Sequence, residues 1–323
     1  MGSATGRDLH VDNLLSQVAI NYRPNGMIWD QIAPIVSVLK ETDSYPVFNR
    51  GEVFAIENTN RSRGTEANRV TRSVSSAQYA AKNYALAYDL FLEDRANMDA
   101  AFQFELEAGG TRYTNDKLML DADRRTLVLA VAGVSTTFLT GSAWNGATQG
   151  DPVSMIWRMQ EQVKTVTAQK PNSLIFGWQA WNLARRNTNF RNFVQGTNNG
   201  GGNLTRDNIA SAFEVDRLLV ADGFYNPANE AQTATFSNYF PKDAVMAYFA
   251  PLNASREQPS FMYSFRWTNP VLGQPMAVVR HDFDTRKKVE GIELSYYQDE
   301  KVTGSEYGLI MTGVGSAQTN GLT

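Results

Sequence analysis

The sequence predicts an α+β fold in which an extended hairpin, a long helix, a compact α/β insert and a last set of strands follow one another. Three patterns carry that expectation. Residues 46–88 hold two apolar runs on either side of a polar, basic turn, and the second run alternates as a strand does. Residues 89–132 hold apolar residues at helical spacings. From Asp151 onward, strand patterns and helix patterns alternate, as in a layered α/β unit.

Residues 1–45 read as an N-terminal arm. The stretch begins polar. Val11, Leu14, Leu15, Val18 and Ile20 then permit a short helix, and Trp29, Ile32, Ile35, Val36 and Val38 follow. Pro24, Gly26 and Pro34 prevent one long element. Such an arm buries little apolar area on itself and is expected to lie on a surface.

The hairpin is read over residues 46–88. Its outgoing run passes from Val47 and Phe48 to Val53, Phe54 and Ile56, and its returning run ends in Tyr84, Leu86 and Tyr88. Asn58 to Thr65 form the tip. Arms of about 12–15 residues at about 3.3 Å per residue reach about 40–50 Å. A two-stranded hairpin alone is marginal in water, so one this long is expected to rest on something, most simply a neighbouring subunit.

Residues 89–150 are read as a helical spine and its exit. Phe91, Met98, Phe102 and Leu106 recur at helical spacings, Gly109-Gly110 is expected to break or bend the helix, and Leu118, Leu120, Leu127, Leu129 and Val131 resume it, as one long bent spine or as two ordinary core helices. Residues 50–85 carry six basic and three acidic residues, whereas residues 89–132 carry nine acidic and five basic. That contrast points to charge complementarity between a basic hairpin and an acidic helix on different copies, with Arg61, Arg63 and Arg69 as contact residues. Two ordinary solvated faces are the plainer alternative.

Residues 133–150 are rich in Gly, Ser and Thr and read as a connection. The insert spans 151–274. Asp151-Pro152 opens its first helix as N-cap and first-turn proline. Strands are expected at Ser173–Phe176, Arg217–Ala221 and Ala244–Phe249, and helices around Trp178–Ala184 and Thr205–Phe213. Residues 275–323 revert to β patterns at Met276–Val279, Ile292–Tyr296 and Tyr307–Met311, which are expected to return to the long helix, and end in a small polar tail.

Composition narrows the chemistry. The 323 residues are 42% hydrophobic and 20% charged with net charge −3, an ordinary globular balance with no electrostatic drive toward nucleic acid. There is no cysteine, which excludes disulfides, thiolate catalysis and zinc–thiolate sites. No secretory pattern opens the sequence, and no apolar run approaches the ~18 residues of a membrane span.

No catalytic residue, cofactor site or metal site emerges. His281-Asp282-Phe283-Asp284 is the strongest acid–base or metal candidate, but a strand there puts the histidine and the aspartates on opposite faces. His10 is the other histidine, and it lies in the arm. There is no Gly-x-Ser-x-Gly elbow and no Walker A loop. Asn199 to Asn203 lacks the lysine and the preceding strand of a phosphate loop. Asp121 and Asp123, two apart on a helix, do not share a face. Trp178 and Trp181, three apart, read as core neighbours. Arg185 and Arg186, with Arg191 and Arg256, dot the insert; the first two are expected contact residues if that domain converges on a symmetry axis.

The order of arm, hairpin, long helix, α/β insert and final strands resembles the major capsid proteins of tailed double-stranded-DNA bacteriophages, whose fold is shared by encapsulins and the herpesvirus capsid floor. The stretches that carry the resemblance are Ser173-Leu174-Ile175-Phe176-Gly177-Trp178-Gln179-Ala180-Trp181, Leu204 to Val215 with Leu218–Ala221, and Pro259 to Trp267. It covers nearly the whole chain. It implies an N-arm (1–45), an E-loop (46–88), a spine helix and peripheral domain (89–150 and 275–323) and an axial domain (151–274). It implies hexamers and pentamers in an icosahedral virion shell around double-stranded DNA, assembled in the host cytoplasm, with a scaffolding protein, portal and decoration protein as partners. An N-terminal scaffolding segment is not evident, so scaffolding is a separate protein or the sequence starts after processing. An encapsulin-like compartment is the alternative within the structural class, and a hydrolase built on His281 is the alternative outside it.

Overall fold

The structure, a computed structural model, describes residues 10–22, 26–48, 55–71, 73–97, 103–139, 144, 150–195, 204–229, 232–252, 254–255, 258–270, 272–281, 283–284 and 287–315. In chain order the elements are β1 (His10–Val11), α1 (Asn13–Asn21), α2 (Trp29–Ile32), β2 (Ile35–Val38), β3 (Thr42–Phe48), β4 (Val74–Ala80), β5 (Lys82–Phe91), α3 (Leu92–Ala96) and α4 (Gln103–Gly133). Then follow β6 (Thr136–Leu139), α5 (Pro152–Thr167), β7 (Ser173–Gly177), α6 (Trp178–Arg186), α7 (Thr188–Gln195), α8 (Arg206–Ala212), β8 (Arg217–Ala221), β9 (Phe224–Tyr225) and β10 (Ser237–Asn238). The last are β11 (Val245–Tyr248), β12 (Met262–Trp267), β13 (Ala277–Arg280), β14 (Val289–Val302) and β15 (Gly308–Thr312).

Two large sheets organise these elements. The first runs β1-β13-β14-β12-β2. Its 14-residue β14 pairs β13 and β12 along one edge and β5 along the other. The second runs β6-β15-β11-β7-β8. Its strands β7 and β11 are buried along their whole length, which is why they read as unbroken apolar runs rather than alternating ones.

Helix α4 ties the sheets together. Its 31 residues span about 46 Å at 1.5 Å per residue. Ala108, Leu118, Met119 and Ala122 pack with Leu15, Val278, Ile292, Leu294 and Tyr296 of the first lobe. Leu127 and Ala130 pack with Ile175, Met246 and Ile310 on one face of the second sheet. The other face of that sheet is covered by α5–α8 through Ile156, Met159, Val163, Trp181, Phe190 and Phe213.

Local chemistry explains the ends of several elements. Asp12 caps α1 by accepting from the Leu15 N–H at 3.0 Å. Asp151 caps α5, with Pro152 at its start, by accepting from the Val153 N–H at 3.2 Å. Thr205 caps α8 through Asn208 N–H at 3.3 Å.

Several sequence expectations are corrected. Gly109-Gly110 does not break the helix; α4 is continuous through both. At Gly110 α4 lies tight against β5: a Cβ there would stand 2.5 Å from Tyr88 Cδ1. Helix propensity yields to packing at that point. The helix expected from residue 89 begins instead as strand, since β5 runs to Phe91, and Met98 and Phe102 lie outside the described residues.

The hairpin's return arm is β4, not the Tyr84–Tyr88 run. Tyr84, Leu86 and Tyr88 alternate because they sit in β5, paired with Tyr296, Leu294 and Ile292 of β14. Periodicity gives the strand but not its partner. The connection at 133–150 supplies β6, parallel to β15, and the buried Trp144. The boundaries at 45 and near 275 are interleaved: β1, α1 and β2 of the arm and β12 of the insert all belong to the first lobe. Strand β15 does return to the helix, with Ile310 packed in one cluster with Leu127 and Ala130, but it does so within the second sheet, paired with β11 and β6.

Candidate assembly surfaces

The hairpin is built as a clamped base with a projecting tip. Strands β3 and β4 pair from Thr42↔Ala80 to Phe48↔Val74. At the base, Tyr45 and Tyr79 are buried against Phe265, with ring centroids 5.0 and 4.7 Å apart. Val36, Val38 and Tyr263 complete that cluster. Phe265 lies on the sheet face opposite Arg266, whose guanidinium stacks over Trp29 and Tyr296 on the helix side. Polar contacts lock the same junction. The Tyr79 hydroxyl donates to Lys40 O at 3.2 Å, and the Ala80 N–H donates to Asp299 Oδ2 at 2.9 Å.

Beyond the base, every described residue from 55 to 71 is exposed. The tip nevertheless has internal order. Gly64, at φ +86°, permits a turn in which the Thr65 N–H donates to Ser62 O at 3.2 Å. Arg61 Nε donates to Thr65 O at 2.6 Å, and Asn68 Nδ2 donates to Asn58 O at 2.7 Å. Arg69 pairs with Glu66, while Arg63 has no partner among the described residues. Exposed pairs of this kind add little to the stability of one copy.

Arg185 and Arg186 sit in the last turn of α6, where the helix dipole favours cations. The Arg185 guanidinium lies 5.5 Å from the Trp181 ring, and both arginines are exposed. Trp181 is core, as its spacing predicts, but Trp178 is half exposed. No contact joins this pair to the hairpin arginines. Arg191 is exposed, and Arg256 and Asn199–Asn203 lie outside the described residues.

Part of the acidity of the 89–132 region is consumed inside the copy. Glu107 receives Arg280 at 2.6 Å and Arg95 at 2.6 Å. Asp121 and Glu300 receive Arg125 at 2.8 and 3.0 Å. Arg280 also holds Asp12 at 2.8 Å, fixing the arm to the sheet. Burial works against the Asp12 charge, but the Leu15 N–H and Arg280 outweigh it and keep its pKa below the usual carboxylate range. Asp89, Glu93, Asp94 and Glu105 remain exposed.

Asp123, distinguished in sequence only by not sharing a face with Asp121, is a buried junction. Its Oδ1 accepts from the Ile28 and Trp29 N–H groups, both at 2.9 Å, capping α2 from another element. Its Oδ2 accepts from the Tyr239 hydroxyl at 2.5 Å. Arm, spine helix and second lobe therefore meet on one buried carboxylate. Burial raises its pKa, against the lowering effect of those hydrogen bonds. Burial and the neighbouring carboxylate push the Tyr239 phenol upward as well. The available signal was an aspartate on the apolar side of a helix, between Ala122 and Thr126, both buried.

His281 follows β13 and is half exposed, with Nε2 2.8 Å from Glu293 Oε2 across the sheet. Asp282 lies outside the described residues, and Asp284 makes an isolated bridge to Val289 rather than continuing a strand. Among the described residues no three His, Asp or Glu side chains stand close enough to hold a metal ion. An open groove on the second lobe is lined by Trp157, Gln160, Lys164, Lys170, Phe213 and Glu214. No helix among the described residues is long and apolar enough to cross a membrane.

A clamped hairpin, a spine helix shared by two lobes and a sheet-centred second lobe define the fold of phage capsid proteins. The chain is homologous to phage major capsid proteins. No family model matches it. The major capsid protein of Burkholderia phage BcepMu is 22% identical over 313 residues, covering 94% of this chain and 96% of that protein. A phage-related protein from Bordetella bronchiseptica RB50 superposes with a TM-score of 0.73 at 19% identity, over 95% of this chain and 98% of the other. The capsid of cyanophage P-SCSP1u matches with a TM-score of 0.56 at 10% identity, over 90% and 89% of the two chains.

Proposed function

We propose that this chain is the self-assembling shell subunit of a phage head. Copies gather as hexamers and pentamers into an icosahedral shell that encloses double-stranded DNA. The role is structural, with no catalytic step. The hairpin carries the reading: its base is fixed by Tyr45, Tyr79 and Phe265, and residues 55–71 extend from it fully exposed. A segment so placed contributes little to its own copy and serves by lying on the next one. Whole-length likeness to a phage major capsid protein supports the same role.

In this reading residues 1–45 are the N-arm, the hairpin is the E-loop, α4 with the first sheet is the peripheral domain, and the second lobe is the axial domain that gathers around the local symmetry axis. Arg61, Arg63 and Arg69 meet acidic groups of a neighbour, and Arg185 and Arg186 make contacts about the axis. Scaffolding, portal and decoration proteins are the further partners, with assembly in the host cytoplasm and the mature protein in the virion. Heterologous contacts that close into rings generate such capsomers.

Negative-stain electron microscopy with light scattering tests the proposal. Shells, or rings of five or six, are expected from the purified protein or on co-expression with its scaffolding protein. A monomer or dimer that persists under both conditions overturns it.

A further inference from the structure

The net charge of −3 conceals a division between the two sides of the first lobe. The sheet face that carries Phe265 and the hairpin base also carries Asp89, Glu293 and Asp299, with Lys301 drawn to Asp299 at 3.3 Å. The other face is covered by α4, and the free side of α4 is basic. Tyr113, Lys117, Leu120, Arg124 and Val128 recur at intervals of three or four residues, which keeps them on one stripe of the helix. Tyr113 and Val128 are half exposed, and Lys117 and Arg124 are exposed, as is Arg112 beside them.

These cations are not spent inside the copy. Among the described residues no carboxylate pairs with Arg112, Lys117 or Arg124. Lys117 Nζ lies 5.4 Å from the Tyr113 ring and the Arg124 guanidinium 5.1 Å from the Tyr225 ring. A ring orients a cation without neutralising it. The carboxylates of the same stretch are engaged elsewhere: Asp116 accepts from the Tyr22 hydroxyl at 3.4 Å, Asp121 takes Arg125 at 2.8 Å, and Asp123 is buried. Helix α1 meets α4 at Asn115, whose amide donates to Ala19 O and Tyr22 O at 3.0 and 3.2 Å, and it leaves the stripe open. Lys117 and Arg124, seven residues apart, stand about 10 Å apart along the axis. One strand of a duplex carries a phosphate about every 3.4 Å of its axis, so the two cations can meet separate phosphates. A stripe of cations and a phenol with little open apolar surface fits a polyanion better than an apolar helix.

We propose that this stripe of α4 faces the inside of the shell and meets the phosphate backbone of the packaged duplex through Arg112, Lys117 and Arg124, with the Tyr113 hydroxyl as a further donor. The proposal rests on the shell reading above and adds which side of the subunit is the lumen. The hairpin base lies on the opposite face of the first sheet, so the surface that meets the duplex is separate from the segment that meets other copies. Phosphate contacts of this kind read no base sequence. Three cations hold a duplex weakly in one copy, and their repetition over the shell retains its outermost turns without fixing their path.

Two measurements test it. The first titrates the unassembled full-length subunit into a fluorescent duplex of about 20 base pairs at several salt concentrations. Arg112→Glu with Lys117→Glu and Arg124→Glu is expected to weaken binding at least about tenfold and to lower the slope of log affinity against log salt by about three, one for each cation. Arg61→Glu with Arg63→Glu and Arg69→Glu makes the same change in net charge and is expected to weaken binding by less than about threefold, which separates a located contact from overall charge. All six residues are exposed, and an unchanged Tm confirms that each variant folds. Equal losses from the two variants, or no binding by the unaltered subunit at low salt, overturn the proposal. So does an α4 variant that keeps the duplex but loses a poly-glutamate peptide, which would make the partner an acidic protein. The second measurement uses the absence of native cysteine. In intact shells Lys117→Cys is expected to resist a polyethylene-glycol maleimide too large to pass the wall, and to react once the shells are dissociated. Reaction in intact shells puts this face outside and overturns the proposal while leaving the shell reading in place. A protein that forms no shells under any condition overturns both.

Discussion

The Tyr239 hydroxyl and Asp123 Oδ2 meet at 2.5 Å, joining the second lobe to the helix that underlies both sheets. The other oxygen of the same carboxylate holds two backbone N–H groups of the arm. Asp123→Ala leaves these donors buried without an acceptor and is expected to destabilise the unassembled subunit by about 2–3 kcal/mol in urea unfolding. Asp123→Asn keeps one acceptor oxygen and is expected to lose less. The pair also differ with pH. Burial raises the Asp123 pKa, so the native state keeps this proton to higher pH than the unfolded chain does. The wild type therefore loses stability relative to Asp123→Asn as pH rises from about 4 through the raised pKa. A difference that stays flat over that range contradicts the assignment.

Gly110 should be intolerant of any side chain. A methyl there would sit 2.5 Å from the Tyr88 ring. Gly110→Ala gains about 1 kcal/mol of helix propensity but incurs an overpacking cost of about 1–3 kcal/mol. A net fall in Tm is expected, and Gly110→Ala combined with Tyr88→Ala should recover the propensity term.

Tyr79 anchors the hairpin by stacking on Phe265 at 4.7 Å with an interplanar angle of 16°. Tyr79→Ala is expected to cost about 3 kcal/mol at a buried aromatic site. The loss should be local, with faster hydrogen exchange in β3 and β4 and unchanged protection in β7 and β11. Assembly should fall with it, as measured by the fraction of protein in shells.

The arginines should behave in the opposite way. Arg61→Glu, Arg63→Glu and Arg69→Glu together touch only exposed groups, so the subunit's stability should change by no more than about 0.5 kcal/mol. Shell yield should drop sharply. The same contrast is expected for Arg185→Glu with Arg186→Glu. Normal shells from either variant would remove those residues from the contact set.

Much of the second lobe was legible in sequence. Asp151-Pro152 marked the start of α5, and the run Ser173–Phe176 marked a buried strand, because caps and unbroken apolar runs are local signals. The hairpin was legible only in part. A polar tip between two apolar runs was plain, but Tyr84, Leu86 and Tyr88 alternate identically whether their partner is β3 or β14. The acidic helix misled for a related reason: counting charges does not reveal that Glu107, Asp121 and Asp123 already have partners in the same copy. The tip arginines stood out because nothing nearby in the sequence neutralises them all.

By itself the sequence determined the kinds and order of most of the larger elements, since helix caps, apolar periods and turn residues act over a few neighbouring positions. It also excluded thiol chemistry and revealed no catalytic cluster. Only the tertiary structure decided which strands share a sheet. Chain segments as distant as β2 and β12, or β6 and β15, become parallel neighbours by burying common surface on α4 and its flanking layers. It alone decided that Asp123 faces inward to unite three parts of the chain while Asp121, two residues earlier, faces Arg125. The helix turns by about 100° per residue, so a carboxylate's role follows from what packs against its side of the helix.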